Sequence, residues 1–358
     1  MAGLSPRFVT VLSFDNQFET RIPLTHSLVK TLTALHEYRG KEQLFRQQTP
    51  QVLEALRSSA IIQSVESSNR IEGVVAKRGR VKQIVAENSE PRDRPEAEIA
   101  GYRDVLDTIH GGHEGIRLSN GVVKQFHRML FAKTAERGGA WKVDANRIER
   151  EHADGQIEVR FEPPPPHLTE SLMTDLNDGF ARMLKQRAID PLLLIPAYIL
   201  DFLCIHPFRD GNGRMARLLA LLLLYQQGYE VGRFISLEKI IEGSKETYYE
   251  TLHASSQRWR DGGHTLTPWT EYFLGTLVGA YRQFEDRVEQ STTARGAKTR
   301  FINAAIDAAI GDFTAQEILA KCPTASLDLV RQILKQRKAL GQIQSLGRGR
   351  SAKWRRIG

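Results

Sequence analysis

A stretch of twelve residues holds the side chains that are best suited to phosphate chemistry. It reads His206-Pro207-Phe208-Arg209-Asp210-Gly211-Asn212-Gly213-Arg214-Met215-Ala216-Arg217. The central Gly211-Asn212-Gly213 predicts a tight loop before a helix. The N–H groups of such a loop converge at the helix start, where unpaired donors and the helix dipole favour an anion such as phosphate.

Charged and titratable side chains flank this predicted loop. Arg214 and Arg217 project from the start of the helix, and two planar guanidinium groups suit a polyphosphate better than a single phosphate. Asp210 offers the hard oxygen ligand that Mg²⁺ requires when it bridges a nucleotide to a protein. His206 supplies a titratable base. Together these residues predict a site for nucleotide-phosphate transfer.

Each feature alone also has a structural interpretation. An isolated Gly-Asn-Gly is commonly a turn, a histidine after an apolar helix is commonly held by hydrogen bonds, and arginines on a helix commonly form a solvated face. The combination favours the functional interpretation. The stretch resembles the signature of the Fic family, His-x-Phe-x-Asp/Glu-Gly-Asn-Gly-Arg-x-x-Arg, at every fixed position.

The resemblance implies transfer of AMP from ATP to a Ser, Thr or Tyr hydroxyl on a protein, with release of pyrophosphate. It implies that His206 deprotonates the hydroxyl and that Asp210 holds Mg²⁺ across the α- and β-phosphates. Tyr248 and Tyr249 resemble a tyrosine pair near the adenine in related chains, although buried tyrosines are more often core residues. The ATP-binding residues implied in this way are Phe208, Arg209, Asp210, Gly211, Asn212, Gly213, Arg214, Arg217, Tyr248 and Tyr249.

A second motif lies far upstream. Ser68-Asn69-Arg70-Ile71-Glu72-Gly73 resembles the inhibitory motif of the same family, Ser/Thr-x-x-x-Glu-Gly/Asn. The resemblance implies that Glu72 pairs with Arg217 and keeps ATP from placing its γ-phosphate productively. An anion that occupies an anion site excludes a competing anion. On its own the pattern would be ordinary chemistry of a helix end.

Helices must position these residues, because apolar side chains recur at helical spacing along most of the chain. Residues 52–71 carry an apolar stripe on one face. Residues 192–204 and 215–225 are apolar on nearly all sides, which is typical of helices at the centre of a bundle. The sequence therefore predicts a mainly α fold, and the resemblance implies a Fic-type helical bundle with a β-hairpin flap.

One segment has the alternation of strands instead. Ile157, Val159 and Phe161 alternate with polar residues after the turn signal Asp154-Gly155, which predicts a β-hairpin at residues 146–162. The following four prolines end it, because proline cannot donate to a strand ladder. The resemblance implies that this hairpin is a flap at which an extended segment of a target protein docks.

The basic charge of the chain is concentrated near its end. The 50 Lys and Arg residues exceed the 42 Asp and Glu residues by eight, yet residues 295–358 alone carry thirteen basic and four acidic side chains. Helices are predicted from Phe301 to Ile310, after the capping box that begins at Thr314, and from the cap Ser326 to about Leu340. Two segments, 342–346 and 351–357, flank Gly347-Arg348-Gly349-Arg350 in the manner of a two-stranded wing.

This terminal pattern predicts a winged helix-turn-helix domain. Arg331, Lys335 and Lys338 fall on one face of its third helix, which would suit the major groove of DNA. Winged helices also bind proteins, so both kinds of partner stay open.

Polar breaks near residues 90–95 and 290–297 predict three parts. These are an N-terminal helical region at 1–95 that carries the inhibitory motif, a Fic catalytic core at 96–290, and a winged-helix-like domain at 291–358. Two cysteines exclude a disulfide framework or a multi-cysteine zinc site and fit a reducing compartment. With neither a signal pattern nor an uninterrupted apolar span, we expect a cytoplasmic protein without a membrane partner.

The leading hypothesis is an autoinhibited protein adenylyltransferase that uses ATP and Mg²⁺. Two alternatives stay open. One is a Fic enzyme that removes AMP or transfers another phosphate-containing group, and the other is a DNA-binding regulator whose Fic core senses a nucleotide. A homodimer is included among the expected partners because dimerisation is common in the resembled family.

Overall fold

The structure of the chain is a computed structural model. It describes residues 12–48, 50–77, 79–151, 155–293, 297–307, 309, 311–322, 325–347 and 352–356. Contacts divide the chain into two compact units, Met1–Arg39 with Arg57–Tyr281 and Gly40–Leu56 with Arg282–Gly358. The three-part division at residues 95 and 290 stays a prediction.

Helices dominate the first unit, as the sequence predicts. In chain order up to the second unit's terminal module, the elements are α1 (Phe18–Arg21), α2 (His26–Gln48), α3 (Pro50–Ile71), α4 (Arg80–Ala86), α5 (Arg94–Gly112), α6 (Asn120–Leu130), β1 (Ile148–Glu151), β2 (Ile157–Phe161), α7 (Thr169–Gln186), α8 (Pro191–Ile205), α9 (Asn212–Gln226), α10 (Leu237–Gly243), α11 (Lys245–Ser256) and α12 (Thr267–Thr293).

Two helices, α8 and α9, form the centre of this unit. Nearly every side chain of both is buried, because their sequences are apolar on all sides. Asp190 caps α8 by accepting a hydrogen bond from the N–H of Leu192, and Pro191 occupies the first helical position, where a missing N–H costs nothing. The helices α5, α7 and α11 pack around this pair. The loop between α8 and α9 is thereby held in a fixed frame.

The predicted hairpin is present. Strands β1 and β2 pair antiparallel, with Ile148 opposite Phe161 and Glu151 opposite Ile157, and the register shifts between Ile148 and Glu149. Residues 152–154, which include the predicted turn residue Asp154, lie outside the described residues.

The C-terminal module packs helices against a small sheet. Its elements are α13 (Ala297–Asp307), β3 (Phe313–Thr314), α14 (Ala315–Ala320), α15 (Leu327–Ala339), β4 (Ile343–Ser345) and β5 (Lys353–Arg356), with strand order β3-β5-β4. Apolar side chains from all three helices meet in one core, among them Ile302, Ile318 and Ile333. The capping box of Thr314 and Glu317 is confirmed, and Ser326 caps α15.

Strand β3 was not expected from the sequence, since two residues are too short to show alternation. The arginines Arg348 and Arg350 of the predicted wing lie outside the described residues, and the winged-helix assignment stays a prediction. Among the described helices, none combines the length and the apolar character needed to cross a bilayer.

Candidate active site

The backbone between α8 and α9 turns at His206. This residue is the C-cap of α8, with its N–H bonded to the carbonyl of Phe202 at 3.0 Å and a φ of 50° in the left-handed region. The ring Nδ1 lies 3.2 Å from the carbonyl oxygen of Leu203. Because a carbonyl can only accept, Nδ1 carries the proton and Nε2 holds the free lone pair. Burial lowers the pKa of His206 to about 4, so the ring is neutral at pH 7.

The side chain of Asn212 closes the loop. Its Oδ1 accepts a hydrogen bond from the N–H of Phe208 at 2.9 Å, and its Nδ2 donates to the carbonyl of the same residue at 2.8 Å. Gly211 has a φ of 78°, and a Cβ at this position would lie 2.9 Å from the Phe131 ring. The residues Asn212 and Gly211, both predicted for ATP binding, therefore shape the loop that precedes α9.

A second histidine, His127 of α6, packs against the loop between α8 and α9 and donates a hydrogen bond to it. Its ring lies parallel to that of buried Phe208, with centroids 3.7 Å apart. Nδ1 accepts the N–H of Gly139 at 2.8 Å, so Nε2 carries the proton and donates to the carbonyl of Asp210 at 3.0 Å. Burial lowers the pKa of His127 to about 4, which keeps the ring neutral. Nothing in the local sequence pattern distinguishes this residue.

The carboxylate of Asp210 faces solvent. Its Oδ1 accepts the N–H of Gly211 at 2.6 Å, and its side chain is 55% exposed. Among the described residues, no group of three or more His, Cys, Asp or Glu side chains could hold a metal ion. A single carboxylate is nonetheless the usual protein ligand for Mg²⁺ that also binds substrate phosphates. Asp210 fits that mode of binding, and neighbouring Arg209 is exposed.

The first arginine of the motif is buried and paired. Arg214 is 1% exposed, donates to Glu98 of α5, and lies 3.5 Å from Oδ1 of Asn69. Its guanidinium also lies over the ring of Phe131 at 5.3 Å. A buried charge requires such a partner. The Nε of Arg214 has no hydrogen-bond partner among the described residues.

The second arginine meets the upstream motif. Nη2 of Arg217 donates to Oε1 of Glu72 at 2.8 Å and to the carbonyl of Ser68 at 2.9 Å, while Nε donates to Oγ of Ser68 at 2.8 Å. Burial lowers the pKa of Arg217, but the Glu72 carboxylate and three neighbouring tyrosines together raise it above its usual value. The Nη1 atom has no hydrogen-bond partner in the described part of the chain.

The carboxylate of Glu72 also lies against the start of α9. A Cβ placed on Gly213 would be 2.2 Å from Oε1 of Glu72, so only glycine allows this approach. Glu72 follows the last residue of α3, where Gly73 turns the chain with a φ of 78°. The end of α3 is fixed through Ser67, whose Oγ donates to Glu242 of α10 at 2.8 Å.

A cavity of about 540 Å³ opens in front of the loop. It brings together residues from both sequence motifs, the hairpin and α11. Tyr248 in its wall is buried against Trp269, with centroids 5.5 Å apart, whereas Tyr249 is 41% exposed. The wall includes Glu72, Ile148, Arg160, Phe161, His206, Gly213, Lys245, Tyr248 and Tyr249.

Part of this chain is similar in sequence to known proteins. The model of the Fic/DOC family matches residues 117–224. The chain is 31% identical over 88 residues to a probable protein adenylyltransferase of Aquifex aeolicus, which covers 25% of this chain and 27% of that protein. It is 26% identical over 181 residues to the protein adenylyltransferase fic-1 of Caenorhabditis elegans, which covers 50% of this chain and 32% of that protein. The chain thus spans about a third or less of the length of these relatives.

Solved structures resemble a larger part of the chain. A Fic family protein from Desulfovibrio desulfuricans G20 matches with a TM-score of 0.63 and 20% identity, covering 94% of this chain and 98% of that one. The Fic-1 structure from Caenorhabditis elegans matches with a TM-score of 0.56 and 19% identity, covering 73% of each chain. At these identities the likeness establishes the fold.

Proposed function

We propose that the chain, whose residues 117–224 match the model of the Fic/DOC family and whose fold resembles that of a Fic family protein, is a protein adenylyltransferase. It transfers AMP from ATP to Ser, Thr or Tyr hydroxyls of a target protein and of itself. The observation that carries the proposal is the position of the Glu72 carboxylate, against Gly213 and paired with Arg217. An anion held at a helix N-terminus beside a buried arginine marks that place as an anion site. The chain's own glutamate fills it.

The start of α9 and the two arginines bind the phosphates. The N–H groups of Asn212, Gly213 and Arg214 have no acceptor within the helix, since the first turn of a helix leaves them unpaired. Arg214 and Arg217 each add one buried N–H group that has no partner among the described residues. These donors favour the oxygens of a polyphosphate over a neutral ligand.

His206 is the proposed base. Its Nε2 takes the proton from the target hydroxyl, since Nδ1 is already protonated and engaged with Leu203. The hydroxyl oxygen forms a bond to the α-phosphorus of ATP. The bond between that phosphorus and the bridging oxygen breaks, and pyrophosphate leaves with the electron pair.

Asp210 is the proposed ligand of Mg²⁺. When bound, Mg²⁺ would neutralise charge on the α- and β-phosphates. The part played by the chain is to hold the carboxylate in place, which the N–H of Gly211 does through Oδ1. The second oxygen lies 3.8 Å from Nη2 of Arg94, and both side chains are more than half exposed, so Mg²⁺ would reach this oxygen from the solvent side.

The hairpin is the proposed docking site for the target. Ile157 and Val159 of β2 are 65% and 45% exposed, although both are apolar. Phe161 of the same strand and Ile148 of β1 line the cavity that contains His206. A target segment that adds a strand here would carry its hydroxyl toward the base.

Autoinhibition rests on the same ion pair. While Glu72 occupies the start of α9, its carboxylate stands where a phosphate of ATP would accept hydrogen bonds. The carboxylate and the phosphate are both negative and repel each other. Release of Glu72 restores both Arg217 and the helix N-terminus to the nucleotide.

Intact-mass spectrometry of the Glu72→Gly protein with ATP and Mg²⁺ tests the proposal. We expect a mass gain of one AMP, lost in Glu72→Gly/His206→Ala and retained in Glu72→Gly/His26→Ala, which removes an exposed histidine. A gain of another mass would favour transfer of a different phosphate-containing group. No gain in the Glu72→Gly protein would refute the adenylyltransferase proposal and favour a nucleotide-sensing regulator.

A second function, binding of duplex DNA by the C-terminal module, is supported by the charges on α15. Lys335 and Lys338 are exposed on a helix whose other side packs Val330 and Leu334 into the core. Two arginines of the module form ion pairs instead, Arg337 with Asp307 at 2.7 Å and Arg355 with Asp312 at 2.6 Å. Exposed cations one helical turn apart suit the phosphates along a groove.

Fluorescence anisotropy with a labelled random duplex tests this second function. We expect binding at low salt that weakens steeply as salt rises, with a log–log slope that falls by about two in Lys335→Gln/Lys338→Gln. Lys185→Gln, at an exposed lysine of α7, is the matched control and should bind as wild type does. Absence of binding at low salt would refute DNA binding.

A further inference from the structure

A short segment before the hairpin holds the loop that carries His206. Lys142 and Asn146 donate hydrogen bonds to four consecutive carbonyls of that loop. The ammonium of Lys142 donates to the carbonyl of Ile205 at 3.0 Å, and its backbone N–H donates to the carbonyl of Pro207 at 2.8 Å. The amide of Asn146 lies 3.4 Å from the carbonyl of His206 and 3.1 Å from that of Phe208.

The two donor residues also hold each other. Nζ of Lys142 donates to Oδ1 of Asn146 at 3.0 Å, so both side chains are fixed at once. Lys142 is 5% exposed, which is unusual for a lysine that forms no ion pair with a carboxylate among the described residues. A buried lysine whose hydrogen bonds all go to the active-site loop and to its own neighbour has a place in the site rather than on the surface.

The ammonium compensates the end of α8. The last carbonyls of a helix lack N–H donors within the helix and carry the negative end of the helix dipole, which a cation stabilises. Lys142 provides this cation at Ile205, immediately before the left-handed His206. The left-handed backbone conformation of His206 is thus stabilised by a cation from outside the loop.

Resting on the proposed function, we propose that Lys142 is a positioning residue for His206. Together with Asn146, it connects the loop that carries His206 to the start of the hairpin. Strand β1 begins at Ile148, only two residues after Asn146. The target's docking strand and the base that receives its proton then belong to one rigid unit. Placement of Nε2 relative to the hydroxyl depends on this brace, which we define as residues 142–146.

Charges around the brace agree with this geometry. The charge of Lys142 opposes protonation of His206 and lowers its pKa, whereas Glu72 and Asp210 raise it. Burial lowers the pKa of Lys142 to about 8, with Arg260 contributing in the same direction. Lys142 is therefore charged at pH 7, and it favours the neutral base that proton transfer needs.

The test compares Lys142→Met with its parent, the Glu72→Gly protein. We expect kcat for AMP transfer to fall about 100-fold, as a misplaced reacting group predicts, while KM for ATP changes by less than about twofold. The acid limb of the rate profile moves to higher pH, because loss of the cation raises the pKa of His206. Lys185→Met, at an exposed lysine of α7, is the control and should leave all three quantities unchanged.

A second variant distinguishes loss of the positioning contacts from a general loss of folding. Asn146→Ala removes two donors to the loop at a half-buried position but keeps the ammonium. We expect it to lower kcat without moving the acid limb. If Lys142→Met lowers kcat and leaves the acid limb in place, or if either variant retains the parent kcat, the positioning role is wrong.

Histidine NMR separates failure of the brace from failure of the proposed function. The pKa of His206 is followed in the absence of ATP, so this measurement needs no catalysis. A higher pKa in Lys142→Met than in its parent supports the brace even if AMP transfer is never found. An unchanged pKa contradicts it even if transfer proceeds.

Discussion

At the scale of the residue, Arg217 decides what the site can bind. Its guanidinium is buried, and a buried charge without a partner is costly. In this structure Glu72 and Ser68 are its partners. In the proposed function a nucleotide replaces the carboxylate of Glu72 by offering another anion, so the same arginine would account for both inhibition and substrate binding.

The hydroxyl of Ser68 gives a graded test of this balance. Ser68→Ala removes one 2.8 Å hydrogen bond from Arg217 but leaves the pair with Glu72 intact. We expect a rate of AMP incorporation between those of wild type and Glu72→Gly, since the variant loses one hydrogen bond between Arg217 and the inhibitory motif but keeps the ion pair. The measurement is incorporation of labelled AMP. Ser58→Ala, at an exposed position of α3, should match wild type, and a Ser68→Ala rate equal to wild type would show that the hydroxyl plays no part.

At the scale of the element, helix α8 connects the site to distant parts of the chain. Asp201, one turn before the loop, is fully buried and accepts hydrogen bonds from the N–H and Oγ of Ser13 and from Nε1 of Trp259, all at 2.7 Å. The Trp259 indole packs edge-on against Phe161 of the hairpin, with centroids 6.3 Å apart. One carboxylate thus ties α8 to the N-terminal segment and to the residue that supports β2.

This carboxylate has a defined effect on stability. Burial raises the pKa of Asp201 to about 6, although its three donors oppose the shift. The folded state therefore binds this proton more tightly than the unfolded chain, and the contribution is lost as pH rises from about 4 to 6. We expect the free energy of unfolding of wild type, relative to Asp201→Asn, to be greater at pH 4 than at pH 7 by about 2 kcal/mol. Urea unfolding across this range measures it, and a difference that does not change with pH would contradict the assignment.

The sequence predicts those helices and strands whose signal lies within one short segment of the chain. Apolar residues on all sides of 192–204 and 215–225 predicted the two central helices, α8 and α9. Alternation at 157–161 predicted β2, and the capping box at Thr314 predicted the start of α14. In each case the signal lies within a few residues, where periodicity and capping act.

The partners of the loop were not predictable in the same way. Glu98, which pairs with Arg214, lies 116 residues before it in the chain, and Lys142 lies 63 residues before its acceptor Ile205. Nothing in local periodicity marks His127 as the support of Asp210. The pairing of Glu72 with Arg217 was expected only because both motifs resemble one family, since 145 residues separate them.

At the scale of the whole molecule, charge and chemistry lie in different parts of the chain. The basic excess falls in residues 295–358, whereas the candidate active site lies between Ser68 and Tyr249 and depends on a few buried charges. The net charge of +8 is therefore a property of the C-terminal module. It bears on DNA binding and not on the proposed transfer of AMP.

The ratio of two initial rates tests the central claim that the chain's own glutamate occupies the nucleotide's anion site. AMP incorporation is measured for wild type, Glu72→Gly and Glu87→Gly, the last being an exposed glutamate that also follows the end of a helix. We predict that Glu72→Gly exceeds wild type by roughly tenfold or more, which corresponds to about 1.4 kcal/mol, and that Glu87→Gly equals wild type. Equal rates for Glu72→Gly and wild type would contradict the account.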